Sequence, residues 1–375
     1  MKLKINEDFN QSANIKVIGL GGGGGNAVNR MVLSGIKGVE FIAINTDVQA
    51  LKASIASDRL QIGETLTRGL GVGGDPDVGR QAAEESRQEI KDALKGTDML
   101  FITAGLGGGT GTGGSSVIAE ISQSMGILTV AVVTKPFVFE GKIRARQAEE
   151  GLKRLNGKVD TLIAIPNQRL FSVIDKNTSM LDSFKVADDI LRQGVQSIAD
   201  IITQHGIVNV DFADVKTIIK SAGNAFMGVG FASGSDKAKI AAHKAVSSPL
   251  LEDATIEGAT RVLVNITSKS DIKMYETEQI MKIITHSISH EANVIFGAVF
   301  NENMEEDGIK VTVITAGFTR ANERRKSDLL PRRQVDMDSE KAFTTTVRSS
   351  GDPRNNLSIP AYLRRKRGLE EGDGT

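Results

Sequence analysis

Thr110 and Thr112 stand inside a run, Gly107-Gly108-Gly109-Thr110-Gly111-Thr112-Gly113, that mixes hydroxyl donors with backbone free of Cβ atoms. Such hydroxyls can hydrogen-bond phosphate oxygens or a bound Mg²⁺, and the glycines let backbone N–H groups converge on an anion. Two further glycine loops precede this one: Gly19-Leu20-Gly21-Gly22-Gly23-Gly24-Gly25-Asn26 and Gly69-Leu70-Gly71-Val72-Gly73-Gly74-Asp75-Pro76. Each reads as lying between an apolar strand and a helix, whose N-terminus adds favourable partial charge. A single glycine turn is ordinary punctuation between strand and helix. Three in the first third of the chain point to a polyphosphate site.

The first loop also satisfies G-x-G-x-x-G, the dinucleotide fingerprint, and Asp47 after the second strand is placed to act as its ribose-binding acid. A NAD(P)-dependent oxidoreductase is therefore a competing reading. The two additional loops weigh against it, because one glycine turn normally suffices for a dinucleotide. G-x-x-x-x-G-K-[ST] is absent, which sets aside an ordinary P-loop enzyme. Further along, Asp211 and Asp214 are three apart at a helix start and share one face. They either cap that helix and favour its positive end, or position a water for attack on a phosphorus atom. His286 and His290 have i, i+4 spacing but no evident third ligand, so no metal site is expected there.

Around these residues the pattern alternates. Strands are expected at Ile15–Leu20, Val39–Asn45, Asp98–Ala104, Leu128–Thr134 and Thr161–Pro166. Helices are expected at Asn26–Ser34, Pro76–Leu94, Ser115–Met125 and Gly141–Leu155. That order implies a parallel sheet covered by helices, with ligands beyond the carboxyl ends of its strands. A long helix over about Met180–Gln204 then leads to a second α/β pattern. It has helices at Asp211–Ser221, Lys237–Val246 and Glu276–Glu291, and strands at Ala225–Ala232, Arg261–Thr267, Val294–Phe300 and Lys310–Ala316.

Composition narrows the class. The 375 residues carry 46 acidic and 46 basic side chains, so bulk charge does not argue for nucleic acid or a membrane surface. There is no cysteine, which excludes disulfides and thiol chemistry, and aromatic residues make up only 4%, too few for a base-stacking platform. No apolar run is long enough to span a bilayer, so a cytoplasmic protein without direct membrane insertion is expected. Residues 320–356 lack apolar periodicity and read as disordered; the island Leu357-Ser358-Ile359-Pro360-Ala361-Tyr362-Leu363 then precedes Arg364-Arg365-Lys366-Arg367. An apolar island on a flexible tail reads as a docking segment.

The run from Gly107 to Gly113 resembles the signature loop of the tubulin/FtsZ superfamily. So do Gly21–Asn26, Asn45-Thr46-Asp47, Pro136-Phe137-Val138-Phe139-Glu140-Gly141, Leu191-Arg192-Gln193-Gly194-Val195 and Asn209-Val210-Asp211-Phe212-Ala213-Asp214, in that order. The likeness covers roughly residues 14–318 and the terminal island. It implies a GTPase that binds GTP or GDP with Mg²⁺, and a filament that assembles the division ring. Gly22, Gly23, Gly24, Gly25, Asn26, Gly73, Gly74, Gly108, Gly109, Thr110, Gly111, Thr112 and Gly113 would hold the phosphates. Glu140 and Arg144 would reach the sugar-phosphate end, and Asn167, Phe184 and Asp188 the ribose and base. Guanine offers two adjacent N–H donors to one carboxylate; adenine does not, leaving a loss of about 1–3 kcal/mol. Phe184 lies four residues before Asp188, on the same face, where its ring can stack on the base.

The same likeness implies that Asn209, Asp211 and Asp214 act on the nucleotide of an adjacent copy in a head-to-tail homopolymer. It implies that Leu357–Leu363 docks onto membrane-tethering and regulatory division proteins at the division site. Asp75, where relatives often carry another residue, would add negative charge beside the γ-phosphate. The expected organisation is a flexible segment 1–13, a GTP-binding domain 14–178 and a central helix 179–207. A C-terminal α/β domain 208–318 carries the catalytic loop, followed by a disordered linker 319–355 and a partner-docking tail 356–375.

Overall fold

The computed structural model describes residues 13–318, apart from residues 173, 176, 205, 252–255, 270–271, 303 and 305. The expected segment before residue 13, the linker and the docking tail lie outside the described residues.

The chain opens with β1 (Ile15–Leu20), α1 (Gly21–Leu33), β2 (Val39–Asn45), α2 (Val48–Lys52), β3 (Asp58–Gln61) and α3 (Glu64–Thr67). It continues through α4 (Pro76–Glu85), α5 (Arg87–Ala93), β4 (Met99–Gly105), α6 (Thr110–Ser124), β5 (Leu128–Lys135), α7 (Lys142–Leu155) and β6 (Thr161–Pro166). The long helix α8 (Met180–Thr203) leads to α9 (Phe212–Ile219), β7 (Gly223–Ser233), α10 (Lys237–Val246) and β8 (Arg261–Ser268). The last elements are α11 (Met274–His286), β9 (Asn293–Phe300) and β10 (Gly308–Ala316).

The strands lie in the order β3-β2-β1-β4-β5-β6-β7-β10-β8-β9. From β3 to β7 every pair is parallel; β10 is antiparallel to both β7 and β8, and β8 pairs parallel with β9. The N-terminal parallel sheet and the smaller C-terminal α/β sheet thus join edge to edge, and only Thr161–Ile163 of β6 pairs with Gly223–Ala225 of β7.

Period-two alternation sorts the strand side chains to two faces. Ile15, Val17, Met99, Phe101, Val130 and Val132 pack beneath α1 and α8, whereas Ile18, Leu20, Leu100, Ile102, Ala131 and Val133 pack beneath α4 to α7. A third core lies between α10, α11 and the strands β8 and β10. The α8 residues Leu191, Val195, Ile198 and Ile201 share one cluster with Leu263 and Ile314, so this helix packs against both halves.

Five local expectations differ from the structure. The helix expected from Asn26 begins at Gly21, and that expected from Ser115 begins at Thr110, so two glycine loops are themselves helical first turns. The helix expected over Pro76–Leu94 breaks at Ser86, whose hydroxyl accepts from the Gly63 N–H at 3.1 Å instead of facing solvent. The second glycine loop follows the short helix α3, not a strand, and the polar strand β3 is an edge strand without apolar alternation to announce it. Helix α11 stops at His286, so His286 and His290 do not share a helix; no group of three metal-ligating acids, histidines or cysteines occurs among the described residues.

Candidate active site

A cleft of about 620 Å³ opens where β1, β2, β4, β5 and β6 end, and all three glycine loops reach it. Leu20 and Gly109 precede α1 and α6 without any side chain capping the first turn of either helix. Two helix N-termini thus present N–H donors to one space, the arrangement that suits an oxyanion.

The glycines divide into two groups by what an added Cβ would meet. Gly22 and Gly108 line the cleft, and a Cβ on either would find nothing within 4 Å, so their small size keeps space open for a ligand. Gly24 and Gly113 serve packing: a Cβ at Gly24 would lie 2.3 Å from the Thr103 carbonyl oxygen, and one at Gly113 would lie 1.9 Å from that of Pro76. Gly23, Gly73, Gly74, Gly109, Gly111 and Asn26 also line the cleft; Gly24, Gly25, Gly113 and Thr112 do not.

The two threonines diverge as well. Thr110 Oγ1 lies 2.8 Å from Thr46 Oγ1 at the cleft wall. Thr112 is turned inward, where its Oγ1 accepts from the Gly107 N–H at 2.9 Å and holds the glycine turn closed. Asn45, Thr46 and Asp47, at the end of β2, line the cleft too, although no site role attached to them beyond the ribose reading of Asp47. That reading loses support, because Asp47 caps α2, accepting from Gln49 N–H at 2.8 Å and Ala50 N–H at 3.3 Å. Asp75 is likewise a cap: its carboxylate accepts from Asp77 N–H at 2.8 Å at the start of α4. It is not among the cleft-lining residues, so the charge expected beside the ligand is engaged elsewhere.

At the other end of the cleft Glu140 accepts from Arg144 Nη1 at 2.8 Å and from the Phe137 N–H at 2.9 Å. Asn167 is buried and its Oδ1 has no hydrogen-bond partner among the described residues. A buried acceptor left open in this way costs free energy unless a ligand or water satisfies it. Phe184 meets Phe137 edge-on with centroids 5.5 Å apart. Asp188, one turn further along α8, lines the cleft; burial pushes its carboxyl up to about 6, against the opposing charge of Arg30 and with a further upward push from Asp189. Arg30 Nε lies 3.8 Å from Asp188 Oδ2, a contact that no sequence motif singled out.

The remaining acids lie elsewhere. From Asp188 to Thr203, α8 advances about 22 Å, and the loop bearing Asn209 follows. Asn209 Oδ1 accepts from the Gly206 N–H at 2.7 Å, and Asp211 caps α9 by accepting from the Asp214 N–H at 2.8 Å. Asp214 is exposed, and among the described residues nothing bonds its carboxylate. None of the three lines the cleft of the same molecule.

Residues 14–175 match the tubulin/FtsZ family GTPase domain, and residues 223–319 match the FtsZ family C-terminal domain. Among solved structures, the chain is similar to an empty FtsZ dimer from M. jannaschii, at 44% identity over 82% of this chain and 89% of that one, with a TM-score of 0.79. Two Haloferax volcanii proteins share the fold at lower identity. They are a GDP-bound CetZ1 monomer (20% identity, 84% of this chain and 97% of that one, TM-score 0.71) and a GTPγS-bound CetZ2 protofilament (22%, 84% and 98%, TM-score 0.69).

Proposed function

Because the chain belongs to the tubulin/FtsZ family, with that family's GTPase domain, we propose that it hydrolyses GTP in a site completed only between head-to-tail copies, and so builds filaments for cell division. One observation carries this reading: the ligand-shaped cleft and the pair Asp211 and Asp214 sit at different ends of α8 and cannot meet within one molecule. The glycine turns and Thr110 take the phosphates, Glu140 and Arg144 the sugar-phosphate end, and Asn167, Phe184 and Asp188 the ribose and guanine. The neighbour's Asp211, Asp214 and Asn209 then polarise and position the attacking water, since phosphoryl transfer depends mainly on positioning and charge stabilisation.

Exposed apolar side chains support such a contact. Val138, Phe139, Ile143, Phe171 and Leu181 stand exposed on the segments around the cleft. Ile207, Phe300, Met274 and Tyr275 are exposed around the other end, where the Ile207 N–H donates to Ala298 and Phe300 pairs with Ser268. A head-to-tail contact between two such different surfaces generates an open filament when its rotation does not close, and not a two-fold dimer. Mg²⁺ would be held largely by the nucleotide phosphates with the Thr110 hydroxyl nearby, since Mg²⁺ sites of this kind need few protein carboxylates.

The filament would work in the cytoplasm at the division site, tethered by partners that grip Leu357–Leu363; no described helix is long and apolar enough to cross a membrane. The oxidoreductase alternative is not favoured, since the matched domain is a GTPase domain and Asp47 is committed to a helix cap. The experiment is phosphate release at rising protein concentration: a rate per molecule that climbs steeply with concentration supports assembly-dependent turnover. A rate per molecule that is constant on dilution overturns it.

A further inference from the structure

We propose that Arg30 is a positioning residue behind the cleft: from α1 it holds Asp188, which lines the cleft, as the double acceptor that the paired N–H donors of guanine require. The inference rests on the guanine-nucleotide reading of the cleft given above.

The argument begins with the acids that face Arg30 on α8. Asp182, Asp188 and Asp189 all feel its charge. Two of them have other partners. Asp182 accepts from Lys185 Nζ at 2.7 Å and lies 2.7 Å from the Ser179 hydroxyl. Asp189 accepts from Arg192 Nε at 2.6 Å and from Gln193 Nε2 at 2.7 Å. Asp188 alone of the three accepts no hydrogen bond from a described residue, and its side chain retains only 17% exposure. Among the described residues its cationic neighbour is Arg30, at 3.8 Å, while Asp189 on its own helix repels it.

Burial favours the protonated acid, and a protonated carboxyl presents an O–H where guanine presents an N–H. Two donors would then meet, and recognition would fail. The guanidinium stays charged at every working pH, so it is suited to hold the carboxylate ionised before ligand arrives. Arg30 lies beyond the glycine turn of α1, so the helix whose N-terminus faces the phosphates also governs the base-reading acid.

The test is GDP affinity by calorimetry between pH 5.5 and 9 for the parent, Arg30→Gln, Arg30→Lys and Asp188→Asn. In the parent, affinity should fall as pH drops through about 6, where Asp188 takes up a proton. Removing the guanidinium should move that inflection up by about one unit. Affinity then drops about fivefold at pH 6 and about twofold at pH 7, and is unchanged at pH 9, which also reports an intact fold. Arg30→Lys should restore the parental profile. An Arg30→Gln profile with the parental inflection, or a loss equal at all pH values, overturns the proposal. Failure of the underlying reading looks different: Asp188→Asn would then keep both GDP affinity and discrimination against ADP. Should Arg30→Gln not fold, Arg30→Met takes its place, with the carboxyl carbon shift of Asp188 followed in it and in the parent; an inflection raised above the parental one supports the proposal and an equal one overturns it.

Discussion

Replacing Asp211 and Asp214 separately by alanine should split stability from turnover. Asp211 caps α9 through its 2.8 Å hydrogen bond from the Asp214 N–H. Losing an N-cap costs about 0.5–2 kcal/mol, and at about 2–4 °C per kcal/mol for a domain of this size that is a melting shift of about 1–8 °C. Asp214 is exposed and carries no partner on its carboxylate among the described residues, so Asp214→Ala should leave stability within about 0.5 kcal/mol of the parent. Both variants should bind GTP as the parent does, because neither residue lines the cleft. Both should lose phosphate release by about 100-fold or more, the scale of removing a group that positions or activates a nucleophile. The decisive assay mixes Asp214→Ala, whose cleft is intact, with Gly22→Val, whose cleft is filled but whose aspartates remain. Each protein is inactive alone, and the mixture should regain turnover at subunit contacts that pair one good cleft with one good pair of acids. Parental hydrolysis by Asp214→Ala alone, or no recovery in a mixture that still co-assembles, would refute the shared-site reasoning.

Three further outcomes are expected. Gly24→Ala should lower the melting temperature, since its Cβ would lie 2.3 Å from a strand carbonyl and such overpacking costs about 1–3 kcal/mol, while Gly22→Ala should keep stability and weaken GTP binding; equal melting curves for the two would contradict the division drawn here. Phe184→Ala should weaken GTP and GDP binding by about 1–3 kcal/mol, read by equilibrium titration, if its ring stacks on the base. Asp200 is buried on α8, which raises its carboxyl to about 6 despite the Lys310 charge and hydrogen bonds from Gln204 and Gln196. The folded chain therefore holds more protons than the unfolded one between about pH 4 and 6, so stability falls as pH rises through that window. Asp188 adds to the same slope, so Asp200→Asn should reduce it by about half in denaturant titrations and leave stability near pH 4 unchanged; an unaltered slope would show that Asp200 does not contribute to it.

The parallel strands were readable because β1, β2, β4, β5 and β6 are apolar on both faces, as a sheet covered on both sides must be. The starts of α1 and α6 were not, because glycine propensity argues against helix and tertiary packing overrides it. Gly24 against Thr103 and Gly113 against Pro76 permit close helix approach that no larger residue allows. For the same reason, Thr112 looked like a ligand contact in the sequence but closes the glycine turn in space. Arg30 escaped notice, and Thr46 was quoted without a site role, because each matters through a cross-element neighbour, Asp188 and Thr110 respectively, and such pairs have no local pattern. Asp211 could be read as either a cap or a catalytic acid; it does cap, and capping fixes its position without excluding the second role.

The opening turn of α1 consists of five consecutive glycines, Gly21–Gly25, with no side chain to cap it. Glycine in a helix costs up to about 1 kcal/mol per residue relative to alanine, so this turn is poorly self-supporting. A nucleotide at a hundred times its dissociation constant contributes about 2.7 kcal/mol to the folded state, comparable in size to that deficit. Heat resistance and protease resistance of this chain are thereby tied to the guanine-nucleotide pool. A preparation stripped of nucleotide should therefore melt earlier than one saturated with it.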